Sequence, residues 1–177
     1  MKLIIDRKEI GLHIRKILVE MQQQGADAVL ISSNANIYYT SGRYFRGFFY
    51  LPLDGKPLWF IMKPQIFENE EDLIEIRKPE QIPSILEEIG YKIPEKIALE
   101  NDDLSFSEII RLRNLFPNAE FHNASQVLKR ARMVKTEWEI NEMKKDGRHH
   151  SKVYGEISDC YKPGMSDLRL QIEIERR

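Results

Sequence analysis

The stretch that opens Asp6-Arg7-Lys8-Glu9-Ile10 and closes Ala28-Val29-Leu30-Ile31-Ser32-Ser33-Asn34 decides the fold class. Asp6 with Glu9 three residues later reads as a capping box, in which side chains and backbone N–H groups satisfy one another at a helix start. Ile10, Ile14, Ile17, Leu18 and Met21 follow at helical spacing, and Gly25 is the residue type that closes helices in a left-handed turn. Ala28 to Ile31 is a compact apolar run bounded by turn residues, the pattern of a short buried strand. Helix followed so soon by strand points to an α/β fold.

Outward from there the pattern repeats with one change. Phe48 to Leu51 and Pro57 to Met62 are aromatic-rich runs separated by Asp54-Gly55, a strong hairpin signal. Leu73 to Ile76 predicts another strand, Pro79 to Ile89 a short helix, and Ile97 to Leu99 a strand. Ser105 with Glu108 caps a helix that Pro117 stops, and Ala119 to His122 closes the series. Residues 1–128 therefore read as a mixed sheet of about five strands flanked by helices. The hairpin excludes a purely parallel sheet.

Beyond residue 128 the strands stop. Thr136 with Glu139 is a further capping box, opening a helix to about Tyr161 that Pro163-Gly164 ends. Its apolar seam is Ile140, Met143, Gly147, His150, Tyr154, Ile157 and Tyr161, in alternating steps of three and four, which asks for a partner surface. Ser166 to Arg177 starts another helix.

The 177 residues carry 27 Lys+Arg against 28 Asp+Glu, a formal net charge of −1, so no field of one sign points to nucleic acid or a membrane surface. The single cysteine, Cys160, excludes an intrachain disulfide and a cysteine zinc cluster. Met1 to Ile5 is too short an apolar run for a signal-peptide core, and no stretch reaches a membrane span. The expectation is a soluble cytoplasmic protein.

Candidate chemistry is sparse. There is no phosphate-binding glycine loop, no His-Glu-x-x-His and no Gly-x-Ser-x-Gly. His149 and His150 are adjacent on a helix and cannot face one metal. Cys160 reads as a small buried hydrophobe. Glu68, Glu70, Glu71 and Asp72 read as a solvated acidic run. The loop Ser41-Gly42-Arg43-Tyr44-Phe45-Arg46-Gly47 stands apart: its guanidinium forks suit carboxylates and its aromatic rings offer flat walls. Arg43, Tyr44, Phe45 and Arg46 are the candidate substrate-binding residues. No catalytic or metal-ligating residue is assigned.

Three segments, in order, resemble one family. Asn34-Ala35-Asn36-Ile37-Tyr38-Tyr39-Thr40-Ser41-Gly42 is similar to a segment of creatinase/prolidase-type amino-terminal domains. Ala131-Arg132-Met133-Val134-Lys135-Thr136-Glu137-Trp138-Glu139-Ile140 resembles the start of that family's catalytic domain, and Lys162-Pro163-Gly164-Met165-Ser166-Asp167 resembles the turn between its first two helices. The resemblance is to the Xaa-Pro metallopeptidases, prolidase and aminopeptidase P, with creatinase a relative.

That resemblance implies a division into residues 1–130, a non-catalytic amino-terminal domain, and 131–177, an incomplete start of the pita-bread catalytic domain. It implies two divalent metal ions, manganese or cobalt, in the complete enzyme, held by carboxylates and a histidine beyond Arg177. This chain would hold no cofactor and be inactive alone. The expected role is dimerisation, as a homodimer, and formation of the entrance for a proline-containing peptide substrate. By position after Gly42, Arg43 to Arg46 would line that entrance. The alternative is a stand-alone, non-enzymatic peptide- or protein-binding module of the pseudo-peptidase kind.

Overall fold

The computed structural model describes residues 5–63 and 72–176. The chain divides into two compact units, Met1–Val134 and Lys135–Arg177.

In the first unit, helix α1 (Arg7–Gln24) begins where the Asp6 carboxylate accepts from the Lys8 N–H at 3.4 Å. It ends at Gly25, whose φ of 67° lets its N–H turn back to the Gln22 carbonyl. Strand β1 (Ala28–Ile31) is buried along its whole length. Its residues alternate between two cores, Val29 and Ile31 on one face and Ala28 and Leu30 on the other. A strand covered on both sides has no polar alternation, which is why its sequence is a continuous apolar run.

Ser32 and Ser33 do not end in a turn. Ser33 is the N-cap of helix α2 (Asn34–Ser41), which Gly42 closes with a φ of 65°. The hairpin follows as read: β2 (Arg46–Pro52) and β3 (Leu58–Lys63) pair antiparallel, with Gly55 at φ 132° in the connection. Strand β4 (Leu73–Glu75) then lies parallel to β3. A 3-10 turn (Pro79–Gln81) leads into α3 (Ile82–Glu88), then come β5 (Lys96–Leu99), α4 (Phe106–Arg113), β6 (Glu120–Asn123) and α5 (Ser125–Met133).

Among the described residues the sheet has six strands, where periodicity gave about five, in the order β4-β3-β2-β1-β5-β6. β1 pairs antiparallel with β2 and parallel with β5, and β6 is parallel to β5, so the sheet is mixed. One core holds Ile17 and Met21 of α1, Ile37 of α2 and Val127 and Leu128 of α5. The other holds Ile82 and Leu86 of α3 with Leu112 and Phe116 in and after α4. The helices after β1 and β5 thus cover opposite faces.

The second unit is helical. α6 (Glu137–Cys160) opens on the capping box, the Glu139 N–H donating to Thr136 Oγ1 at 3.1 Å and the Thr136 N–H to Glu139 Oε2 at 2.8 Å. Gly164, at φ 84°, sits in the turn before α7 (Asp167–Glu175), which Ser166 caps. Cys160 is buried, its Sγ 3.5 Å from the Glu156 carbonyl, while His149 and His150 are both exposed. Along the seam Ile140 is 41%, Met143 59% and Tyr154 73% exposed. Glu68, Glu70 and Glu71 lie outside the described residues; Asp72 is half-buried.

Candidate functional site

The loop that carries Arg43 to Arg46 hangs from α2, so its position depends on what holds α2. The first turn of that helix leaves backbone N–H groups without partners inside the helix. Glu100, directly after β5 and fully buried, supplies the acceptor. Its carboxylate accepts from the Ser32 N–H at 2.6 Å, the Ser33 N–H at 2.9 Å, Ser33 Oγ at 2.7 Å and Asn36 Nδ2 at 2.5 Å. In open α/β sheets the crevice at the carboxyl ends of strands whose crossovers go to opposite faces is where ligands settle. Here an internal carboxylate occupies that place.

Asn36 and Tyr39 also join α2 to α5. Arg132 donates to Asn36 Oδ1 at 3.0 Å, and the Tyr39 hydroxyl donates to the Ala131 carbonyl at 3.2 Å. On the other side of Tyr39, His13 Nδ1 donates to its carbonyl at 2.8 Å, the two rings stack 3.8 Å apart, and His13 Nε2 lies 3.1 Å from Glu9 Oε1. Two of the sequence segments singled out above, residues 34–42 and 131–140, are therefore bonded to one another through Asn36–Arg132 and Tyr39–Ala131.

The loop itself alternates. Arg43 and Phe45 are buried at 7% and 5% exposure, while Tyr44 is 59% exposed and Arg46 is also exposed. The four residues do not converge on one point. Tyr44 stacks on Tyr38 with ring centroids 4.6 Å apart. Burial, with the neighbouring Tyr44 adding to it, pushes the Tyr38 hydroxyl above its ordinary value.

Arg46 lines a cleft of about 180 Å³ at the carboxyl end of the parallel strands, with Ser32, Ser33, Met62, Glu108 and Arg111. The Glu108 carboxyl is held below its ordinary range by hydrogen bonds from Ser105, with the charge of Arg46 assisting. Arg111 is engaged with Glu80 through a paired contact at 2.7 and 2.9 Å. Arg43 points to a different cleft, shared with Arg7, Gly11, Trp59, Asp72 and Leu73.

Gly47 ends the loop because nothing larger fits. A Cβ there would lie 2.0 Å from the Phe60 carbonyl oxygen across the hairpin, at the point where the β2–β3 register shifts between Arg46 and Gly47. Within either unit taken by itself, the described residues bring together no three ligating side chains for a metal ion. No described helix is long and apolar enough to cross a membrane.

Two of these features escape sequence reading. Glu100 and Ser33 are 67 residues apart, and nothing local marks a charged residue after a strand as buried. His13 sits on the apolar face of α1, where spacing alone offers a histidine no partner.

Comparison with known proteins gives consistent results. The family described as Creatinase/Prolidase N-terminal domain matches residues 13–134. Ectoine hydrolase of Halomonas elongata is 26% identical over 198 residues, covering 96% of this chain and 49% of that protein. Among solved structures, an Xaa-Pro dipeptidase from Bacillus anthracis superposes with a TM-score of 0.76 at 17% identity, over 94% of this chain and 48% of the other. The prolidase from Pyrococcus furiosus gives 0.75 at 22% identity, over 92% and 51%. The chain thus spans about half the length of the curated relative and of these two structures.

Proposed function

The chain belongs to the creatinase/prolidase amino-terminal domain family, and on that premise we propose that it is the non-catalytic amino-terminal portion of an Xaa-Pro dipeptidase or aminopeptidase P-like metallopeptidase. Its role in this reading is dimerisation, as a homodimer, and shaping the substrate entrance in a cytoplasmic enzyme. The observation that carries it is the family match over residues 13–134 on a fold that superposes with an Xaa-Pro dipeptidase and a prolidase. The two divalent metals, manganese or cobalt, and the hydrolysis they support belong to the complete enzyme. No step through a metal is derived for the residues of this chain, since neither unit gathers a ligand set among its described residues.

Within this reading the four loop residues divide their work. Tyr44 and Arg46 meet the incoming peptide, the ring as a flat wall and the guanidinium as a partner for a carboxylate or carbonyl. Arg43 and Phe45, buried beneath them, keep the loop in one conformation.

The test begins with the intact mass of the protein from its own cell. A mass about twice the 20.9 kDa of this chain, with manganese-dependent cleavage of Xaa-Pro dipeptides, supports the proposal. A natural product of 20.9 kDa with no such cleavage overturns it in favour of a stand-alone peptide- or protein-binding module. Ectoine belongs in the same assay because of the curated relative, and turnover of ectoine alone would move the substrate class away from peptides. In the active enzyme Tyr44→Ala and Arg46→Ala are each expected to raise KM about tenfold with kcat little changed, the pattern of lost binding rather than lost chemistry.

A further inference from the structure

At the far end of β2 from Arg46, by the amino ends of β1 and β5, a cleft of about 540 Å³ lies between the β2–β3 turn and the segment after α3. That volume falls within the roughly 300–1,000 Å³ of ligand clefts. Hydrogen bonds hold its walls in place. Asp27 Oδ2 accepts from the Glu95 N–H at 3.1 Å and the Lys96 N–H at 2.9 Å. The Leu53 N–H donates to the Asp27 carbonyl at 2.7 Å, and the Tyr91 hydroxyl donates to the Lys56 carbonyl at 3.0 Å.

This framework leaves the groups that face the cleft unengaged. Tyr50 is 1% exposed, and its hydroxyl has no hydrogen-bond partner among the described residues. Unlike the Trp59 indole nitrogen, which is unmatched and sealed in, the Tyr50 oxygen keeps contact with the cleft space. Burial, with Tyr91 and then Asp27 nearby, pushes the phenol above its ordinary value, so it stays a neutral hydroxyl. Asp27 keeps Oδ1 free. Asp54 and Lys56 have no side-chain partner among the described residues, while Lys92 and Glu95 neutralise one another at 2.8 Å. The uncommitted charges are thus two carboxylates against one ammonium. A buried polar group without a partner calls for one, and the excess negative charge selects a cation.

We propose that this cleft binds a small primary alkylamine in its ammonium form. The ammonium donates to the Tyr50 hydroxyl oxygen and to Asp27 Oδ1, Asp54 adds to the same field, and the Tyr91 ring offers a face to the charge. The alkyl stem lies along Pro52, Ile93 and Pro94. The inference is independent of the peptidase reading and uses none of its residues.

Calorimetric titration of the full chain at neutral pH with n-butylamine, choline chloride and sodium butyrate tests it. n-Butylamine should bind saturably, and butyrate should not bind. Choline should bind at least about tenfold more weakly, because its nitrogen has no hydrogen to donate. Tyr50→Phe should melt no lower than wild type, since the hydroxyl has no partner to lose, yet bind n-butylamine about tenfold more weakly. Asp54→Asn should weaken binding and Lys56→Gln should strengthen it, each about threefold. Both positions are exposed, so these two variants test the sign of the field without risk to the core. No saturable binding of n-butylamine overturns the proposal, as does unchanged affinity in a folded Tyr50→Phe protein. Choline bound as tightly as n-butylamine overturns the hydrogen-bonded ammonium, and butyrate bound in its place overturns the sign of the ligand.

Discussion

Glu100 shows how much of this molecule rests on one side chain. Its carboxylate takes four donors, two of them backbone N–H groups at the start of α2, and water does not reach it. Truncation would leave those donors buried and unmatched, the situation in which the full desolvation cost is felt. Glu100→Ala is expected to destabilise the first unit by about 3 kcal/mol, read as a fall in denaturation midpoint by chemical unfolding. Glu100→Gln should lose nearly as much, because its amide nitrogen brings a fifth donor to a place that needs acceptors. An unchanged midpoint in both would mean the network contributes nothing net. Sequence reading could not reach this residue: Lys96 to Leu99 announces a strand, but the burial of the next side chain depends on serines and an asparagine on another strand-to-helix connection.

At the scale of elements, caps proved the most legible signals and short helices the least. Ser105 and Thr136 each exchange bonds with the glutamate three residues on, as their spacing implied. α2 is hidden because Ser32-Ser33-Asn34 reads equally as turn or cap, and the Ser33 side chain makes no capping bond to the backbone N–H groups of the helix. α5 was hidden because its buried Val127, Leu128 and Ala131 are spread among Lys129, Arg130 and Arg132. Elements are also tied to one another by charge. Glu80, in the 3-10 turn, receives both donors of the Arg111 fork from α4, and that hydrogen bonding holds its carboxyl down at about 2 from an ordinary 4.5. A carboxyl depressed on folding adds stability that is present above its ordinary value and lost as pH falls toward about 2. Melting of wild type and Glu80→Gln should therefore differ at pH 6 and converge near pH 2. The difference will be small, since the pair is about half exposed and solvent screens it.

Considered as a whole, the chain pairs a unit with two well-filled cores and a unit whose apolar side chains remain largely uncovered. Val29, Ile31, Phe60 and Ala98 are fully buried, whereas Met143, Tyr154, Tyr161 and Leu168 are each more than half exposed. Hydrogen exchange should follow this contrast, with β1 and β5 amides protected far longer than those of α6 in dilute solution. Protection of α6 should rise with protein concentration if copies cover its seam, and sedimentation equilibrium would give the stoichiometry. A strictly monomeric chain with α6 as protected as β1 would contradict that expectation. The seam was fully legible in the sequence, because a period of three and four residues needs no knowledge of neighbours; what covers it is not written in the helix.

The alternation along Arg43, Tyr44, Phe45 and Arg46 has a consequence for how such a surface changes over generations. Odd positions speak to the interior and even positions to the outside. Variation at 44 and 46 can retune what the surface meets while the interior stays as it was, and the strand that follows keeps its register. A single inserted or deleted residue before Gly47 exchanges the two roles at once, turning an arginine and a phenylalanine outward and drawing a tyrosine in. Drift by substitution is therefore gradual here, and drift by length is abrupt.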